Sequence, residues 1–129
     1  MSISRDELRT ILKFGIHLAK VDNEFHLQEK EMLRRYMEAI HLTEDERREI
    51  LREDKSLLEN LGHLTNEAAR ELLMKLLCSV SYVDGECSEE EVAFIEKVLS
   101  KLEDSIFLLP KEEWGKYENE VFQTIETVV

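Results

Sequence analysis

The sequence VDNEFHLQE at residues 21–29 decides the fold, because the related sequence VDGECSEEE follows at residues 83–91, 62 positions later. In each copy an apolar helical pattern ends at an Asp, and a turn-forming Asn or Gly comes next. A Glu seven positions after the Asp then opens a new helical pattern. Asn and Gly readily take the left-handed conformation that ends many helices. The repeat therefore predicts two helical hairpins whose bends carry carboxylates.

The apolar register outside the bends also indicates a duplication. Residues 11–40 align with residues 73–102 without a gap, and most apolar positions correspond although only five of the thirty pairs are identical. Short connections make sequential helices antiparallel neighbours. We therefore expect an all-α fold, a compact bundle of about seven helices built from two pseudo-symmetric hairpin repeats. The predicted single domain spans residues 1–129, with repeat one at about 8–41, repeat two at about 70–103 and a C-terminal helix at about 110–127.

Composition agrees with one helical domain. The chain has 129 residues, is 43% hydrophobic and contains one Pro and four Gly, so residues that interrupt helices are scarce. Its apolar runs are far shorter than the ~20 residues needed to cross a bilayer, and it starts with no signal-peptide pattern. Cys78 and Cys87 form no CxxC pair, and each aligns with an apolar residue of the first copy. We expect both to be small buried hydrophobes of a cytoplasmic protein.

The net charge of the chain limits the kinds of partner that it can bind. The formal net charge is −12, and most of it lies in residues 66–129, which hold 15 acids and 6 bases. A surface of this sign repels phosphate backbones and anionic lipid heads. We therefore expect no nucleic acid partner and no direct membrane insertion.

Carboxylates at the bends are the candidate metal ligands. The candidate residues are Asp22 and Glu29 in the first copy, and Asp84 and Glu91 in the second. Clustered carboxylates repel one another, and a hard cation such as Ca²⁺ or Mg²⁺ relieves that repulsion. An EF-hand does not fit, because a loop with Asp84 at its fifth position has Val80 and Tyr82 at its first and third.

Helix capping is the competing explanation of the same acids. A Ser or Thr followed three residues later by a Glu forms a capping box, in which each side chain binds the other residue's backbone N–H. The sequence contains such pairs at Ser4 and Glu7, at Thr43 and Glu46, and at Ser88 and Glu91. His26 and Glu29 would form a weaker version. The residues alone therefore leave both metal binding and capping open.

The two bends resemble the TerB-like family, named for the bacterial tellurite-resistance protein B. The similarity covers about residues 8–103 and rests on the doubled Val-Asp-Asn/Gly-Glu pattern with its following Glu. It implies an all-α fold with internal pseudo-symmetry and a non-enzymatic, cytoplasmic stress-response role of the tellurite-resistance type. It also implies divalent metal ligands at Asp22, Glu29, Asp84 and Glu91, and protein partners that include a membrane-associated stress complex.

Two functions follow from these observations. One is a TerB-like accessory protein that binds a divalent cation, and the alternative is a metal-independent protein–protein interaction module. The sequence has no Gly-rich phosphate loop, nucleophile elbow or HExxH motif, so we expect no enzyme. Trp114, Tyr117 and Phe122 of the C-terminal segment would be core residues or a docking face for a partner.

Overall fold

The computed structural model describes residues 3–21, 26–52, 56–83, 87–102 and 108–128, and every regular element in these ranges is helical. The elements are α1 (Arg5–Lys20), α2 (Leu27–Ile40), α3 (Glu44–Leu51), a first 3₁₀ helix (Glu59–His63), α4 (Glu67–Ser81), α5 (Glu89–Leu102), a second 3₁₀ helix (Lys111–Lys116) and α6 (Tyr117–Val128). The all-α prediction is confirmed. The predicted total of about seven helices compares with six α-helices and two short 3₁₀ helices in these ranges.

Side-chain caps define where several helices begin. Ser4 Oγ accepts a hydrogen bond from Glu7 N, and Glu7 Oε1 accepts one from Ser4 N, at 3.1 and 2.8 Å. Thr43 and Glu46 make the same reciprocal pair at the start of α3, at 3.2 and 2.9 Å. Asn66 Oδ1 accepts from the backbone N–H of Ala68 at the start of α4. Each cap satisfies an N–H group that the helix itself leaves unbonded.

The core is organised around α1 and α4, which pack against each other. Eight residues of α1 and ten of α4 are buried, far more than one amphipathic stripe supplies. α1 also contacts α2, α3 and α5, while α4 also contacts α2, α5, α6 and the second 3₁₀ helix. The remaining helices therefore form a shell around this central pair.

The C-terminal aromatic residues belong mainly to this shell's interior. Trp114 is buried, and its Nε1 donates to the carbonyl of Leu109 at 2.8 Å. Tyr117 is also buried, and its hydroxyl accepts from Leu109 N at 2.8 Å. Phe122 is half-buried, with its ring 4.6 Å from the ring of Tyr36. The core interpretation of Trp114 and Tyr117 is thus correct, and the segment predicted as one helix at about 110–127 is a 3₁₀ turn followed by α6.

Gly15 allows α1 to approach two neighbours at once. A Cβ built on Gly15 would lie 2.8 Å from Leu33 Cδ2 of α2 and 2.8 Å from Leu76 Cδ2 of α4. Both leucines are 1% exposed, so their tips have little room to move away. The absence of a side chain at this position therefore sets the spacing at the centre of the bundle.

We predict that Gly15→Ala lowers the free energy of unfolding by about 1 kcal/mol or more, because overpacking outweighs the better helix propensity of Ala. Gly115→Ala is the matched control, since a Cβ there would meet nothing within 4 Å. It should be neutral or slightly stabilising. Urea unfolding followed by circular dichroism measures both, and equal stability of the two variants would contradict the close packing inferred at Gly15.

Arg5 joins α1 to the connection between α2 and α3. Its Nε and Nη2 atoms donate to the two carboxylate oxygens of Glu46, both at 2.8 Å. Its guanidinium also donates to the carbonyls of Ile40 and His41, at 3.2 and 2.8 Å. The Arg5 hydrogen bonds, and after them the backbone N–H of Thr43, lower the pKa of Glu46 to about 2.

We predict that this pair gives stability above the ordinary pKa of 4.5 and that the contribution disappears as the pH falls toward about 2, because Glu46 must then be protonated. Glu46→Gln should therefore flatten the fall in stability across that window, as measured by denaturant unfolding at a series of pH values. Arg5→Met should flatten it similarly, and the double variant should add little. Parallel curves for wild type and Glu46→Gln would show that the pair does not couple to folding.

Candidate functional site at the acidic bends

The structure describes half of the predicted ligand set. Glu29 lies in the first turn of α2 and Glu91 in the first turn of α5. Asp22 and Asp84 lie outside the described residues. At the bends, the structure therefore locates the two glutamates.

Both glutamates are buried, which is rare for carboxylates. Glu29 is 2% exposed and Glu91 is 3% exposed, and the Oε2 atom of each is shielded from solvent. The capping glutamate of α3 differs, since the side chain of Glu46 retains 14% of its exposure and both its oxygens bond to Arg5. Burial at both bends is thus more than a helix cap requires.

Glu91 uses one oxygen as a cap and buries the other. Its Oε1 accepts from the backbone N and the Oγ of Ser88, each at 3.1 Å, while Ser88 Oγ accepts from Glu91 N at 3.1 Å. The predicted capping box is therefore present. No described residue donates a hydrogen bond to Glu91 Oε2. A buried carboxylate oxygen without a donor is costly, so capping leaves this half of the side chain unexplained.

Glu29 lies beside an imidazole at the equivalent bend. His26 is the N-cap residue of α2 and has extended backbone, but its side chain makes no capping hydrogen bond. Its Nε2 atom is instead 3.9 Å from Glu29 Oε1. The weaker His26 cap considered from the sequence therefore does not form through the imidazole.

Cys87 is the residue at this site that the sequence interpretation missed. It is half-buried rather than buried, and its Sγ lies 3.8 Å from the carbonyl oxygen of Ser88. Burial raises the pKa of the Cys87 thiol, and the negative charges of Glu91 and Glu29 add to that shift. A hydrogen bond with Ser81 and the positive charge of Lys111 act against it. Ser88 thus contacts both the thiol of Cys87 and the carboxylate of Glu91. Its position within the second repeated motif was the available signal.

Cys78 behaves as the sequence predicts. It is fully buried in α4, and burial raises the pKa of its thiol well above the ordinary value. Burial and the raised pKa keep the thiol protonated, whereas a nucleophile or a metal ligand requires the thiolate. Cys78 is therefore a small hydrophobic residue of the core.

The described side chains do not by themselves complete a metal centre. Across residues 3–21, 26–52, 56–83, 87–102 and 108–128, no three His, Cys, Asp or Glu side chains form a group suited to an ion. Glu91 offers one buried oxygen at the second bend, and Glu29 lies with His26 at the first. The arrangement can supply charge and one or two ligands at each bend.

A separate apolar groove lies between α1, α2 and α3. Leu27 and Leu51 are 78% and 52% exposed, and they are the exposed large hydrophobic side chains of the described ranges. Both line a cavity of about 550 Å³, together with Ile16, Leu33 and Met37. The described part of the chain does not cover these two leucines, so the groove is a second candidate binding surface.

Comparison with known proteins gives no assignment: no family model, no curated protein and no solved structure matches this chain. Within the described ranges, no helix combines the length and apolar character needed to span a membrane.

Proposed function

We propose that this chain is a non-enzymatic, TerB-like accessory domain that binds a divalent cation at its acidic bends. The observation that carries the proposal is the buried Oε2 of Glu91, to which no described residue donates a hydrogen bond. A cation next to this oxygen would replace the lost solvation. Capping alone would leave Oε2 without a partner that offsets its loss of solvation.

The helix boundaries support two pseudo-symmetric repeats. α1 begins at Arg5 and α4 at Glu67, while α2 spans Leu27–Ile40 and α5 spans Glu89–Leu102, each pair offset by 62 residues. The contacts are reciprocal, because α1 packs on α2 and α5 while α4 packs on α5 and α2. Burial of both Glu29 and Glu91 fits a site that was duplicated with the hairpins.

Oxygen ligands favour a hard ion. Mg²⁺ binds through one or two carboxylates and keeps several waters, whereas Ca²⁺ takes six to eight oxygens. Glu29 at the first bend and Glu91 at the second supply one carboxylate each. Asp22 and Asp84 are the further ligands that the family resemblance implies. We therefore propose Mg²⁺ or Ca²⁺ as the resident ion of an oxygen-only site.

The cellular role follows from the resemblance at the two bends. On that resemblance we propose a cytoplasmic stress-response role of the tellurite-resistance type, with protein partners that include a membrane-associated complex. The net charge of −12 disfavours a nucleic acid partner. A binding role without catalysis fits carboxylates that are buried in the first turns of helices.

We predict that chelator-treated wild-type protein gains about 2.7 kcal/mol of stability when free Mg²⁺ or Ca²⁺ reaches a hundred times its dissociation constant. Glu91→Gln keeps the capping box, since Gln can replace Glu there, but removes the charge that attracts the ion. It should lose calorimetric binding at the second bend and most of the corresponding shift in melting temperature.

Glu7→Gln is the matched control, because Glu7 caps α1 in the same way and is only half-buried. It should bind metal like wild type. Absence of heat and of any melting shift for wild type at millimolar metal would overturn the proposal. Equal losses in Glu7→Gln and Glu91→Gln would show that the ion binds the acidic surface in general.

A metal-independent interaction module is the second candidate, and the groove between α1, α2 and α3 favours it. Exposed apolar patches on monomers commonly mark binding sites for other proteins. The apolar face of a partner helix would cover Leu27 and Leu51 together. The two candidates use different parts of the molecule and can be tested separately.

We predict that Leu27→Ser and Leu51→Ser each change the free energy of unfolding by less than about 0.5 kcal/mol, because both side chains are exposed. Leu33→Ala, in the wall of the same groove but 1% exposed, should cost about 2–5 kcal/mol. The double Ser variant should also lose binding of a fluorescent hydrophobic dye while its metal titration stays unchanged. Destabilisation as large as that of Leu33→Ala would show that these leucines are core residues.

A further inference from the structure

The groove between α1, α2 and α3 continues into a second cavity. This cavity measures about 340 Å³ and adjoins the one of about 550 Å³, because Ile16, Lys20 and Leu51 line both. On α2 the lining runs from Leu27 to Met37, which is about 15 Å along the helix axis. The groove is therefore long enough to hold about three turns of another helix.

The groove is positively charged although the chain is strongly acidic. The charged residues that line the two cavities are five bases and one acid: Lys13, Lys20, Lys30, Arg34, Arg52 and Glu31. Two further acids lie beside them, since Arg34 also pairs with Glu38, and Lys13 Nζ is 3.1 Å from Glu49 Oε1. Bases still outnumber acids by five to three among these described residues, whereas the formal net charge of the chain is −12.

A second copy of this chain is a poor occupant of the groove. Within the described ranges, Leu27 and Leu51 are the exposed large apolar side chains. Another copy would therefore have to cover them with its own groove, which would bring two positively charged surfaces together. Like charges placed opposite each other across an interface disfavour association. The occupant is expected to have a different sequence.

An anionic membrane surface is also disfavoured as the occupant. A bilayer faces a large part of the molecule at once, and the net charge of −12 repels anionic lipid heads. A single helix contacts the groove alone, where the local charge is positive. A helix with one apolar face is also the ligand that grooves between helices commonly bind.

We propose that the groove binds an amphipathic helix of a protein partner whose polar flanks carry Glu and Asp. This rests on the interaction module, the second candidate function, and specifies the chemistry of its partner. The apolar face of the partner helix covers Leu27 and Leu51, and its carboxylates lie beside Lys20 and Lys30. The acidic surface elsewhere repels the same helix, so that binding is confined to the groove.

A displayed peptide library tests this charge preference. Yeast cells display helical peptides of about 15 residues with a fixed Leu stripe at positions i, i+3, i+4 and i+7, while the flanking positions vary among Glu, Gln and Lys. Cells are selected for binding full-length wild-type protein and against binding the variant with both Leu27→Ser and Leu51→Ser. We expect enrichment of Glu and depletion of Lys. General attraction to a chain of charge −12 predicts the opposite result.

Paired lysine variants locate the preference in the groove. Lys20→Gln combined with Lys30→Gln should weaken binding of the most enriched acidic peptide about threefold or more, because it removes two exposed charges beside the peptide. Lys97→Gln combined with Lys101→Gln is the matched control, since both lysines are exposed on α5 and line neither cavity. This variant has the same net charge and should bind the peptide as wild type does. Fluorescence anisotropy with labelled peptide measures both.

The outcomes separate this inference from the interaction module. Enrichment of Lys, or no charge preference, among peptides that require the two leucines overturns the acidic partner while the module stands. Equal weakening by the two lysine pairs overturns it as well. If no peptide distinguishes wild type from the double Ser variant, the groove is not a helix-binding site and both fail. Leucine-dependent binding to phosphatidylcholine–phosphatidylglycerol vesicles without peptide enrichment would assign the groove to lipid and overturn the proposal.

Discussion

Close packing of α1 on α4 is the constraint on which the rest of the structure depends. Both helices are buried on several sides. Gly15 allows α1 to pack closely, because a Cβ at this position would lie only 2.8 Å from leucine side chains of α2 and α4. Interiors are packed at near-crystalline density, so the two central helices have little freedom to shift. The positions of the shell helices, and of the connections that lead to them, are fixed relative to this pair.

This arrangement brings two buried carboxylates to the N-termini of helices. α1 and α4 finish at the bends, and a helix C-terminus carries partial negative charge that disfavours nearby acids. α2 and α5 begin just beyond, and their N-termini favour Glu29 and Glu91 in the first turn. The helix N-termini thus favour these two acids, whereas their removal from solvent is unfavourable.

Local rules in the sequence predict the helices but not their burial. The Ser4, Thr43 and Ser88 capping boxes depend on residues three positions apart, so they can be recognised without knowing the fold. Whether a first-turn glutamate faces water or the interior depends on what another helix places over it. Glu46 and Glu91 show this, since both cap a helix and only Glu91 is buried. The exposure of Cys87 depends on packing in the same way.

The two carboxylate oxygens of Glu91 have different surroundings, and this difference is the main support for a role of the bend beyond starting a helix. The cap uses one carboxylate oxygen, since Glu91 Oε1 accepts the hydrogen bonds from both Ser88 N and Ser88 Oγ. Glu46 shows how this protein handles a second oxygen when the role is structural, because Arg5 bonds to it from a neighbouring helix. At the second bend, no described residue offers Oε2 such a donor. The divalent cation that we propose at this bend would satisfy this oxygen, which a helix cap alone does not.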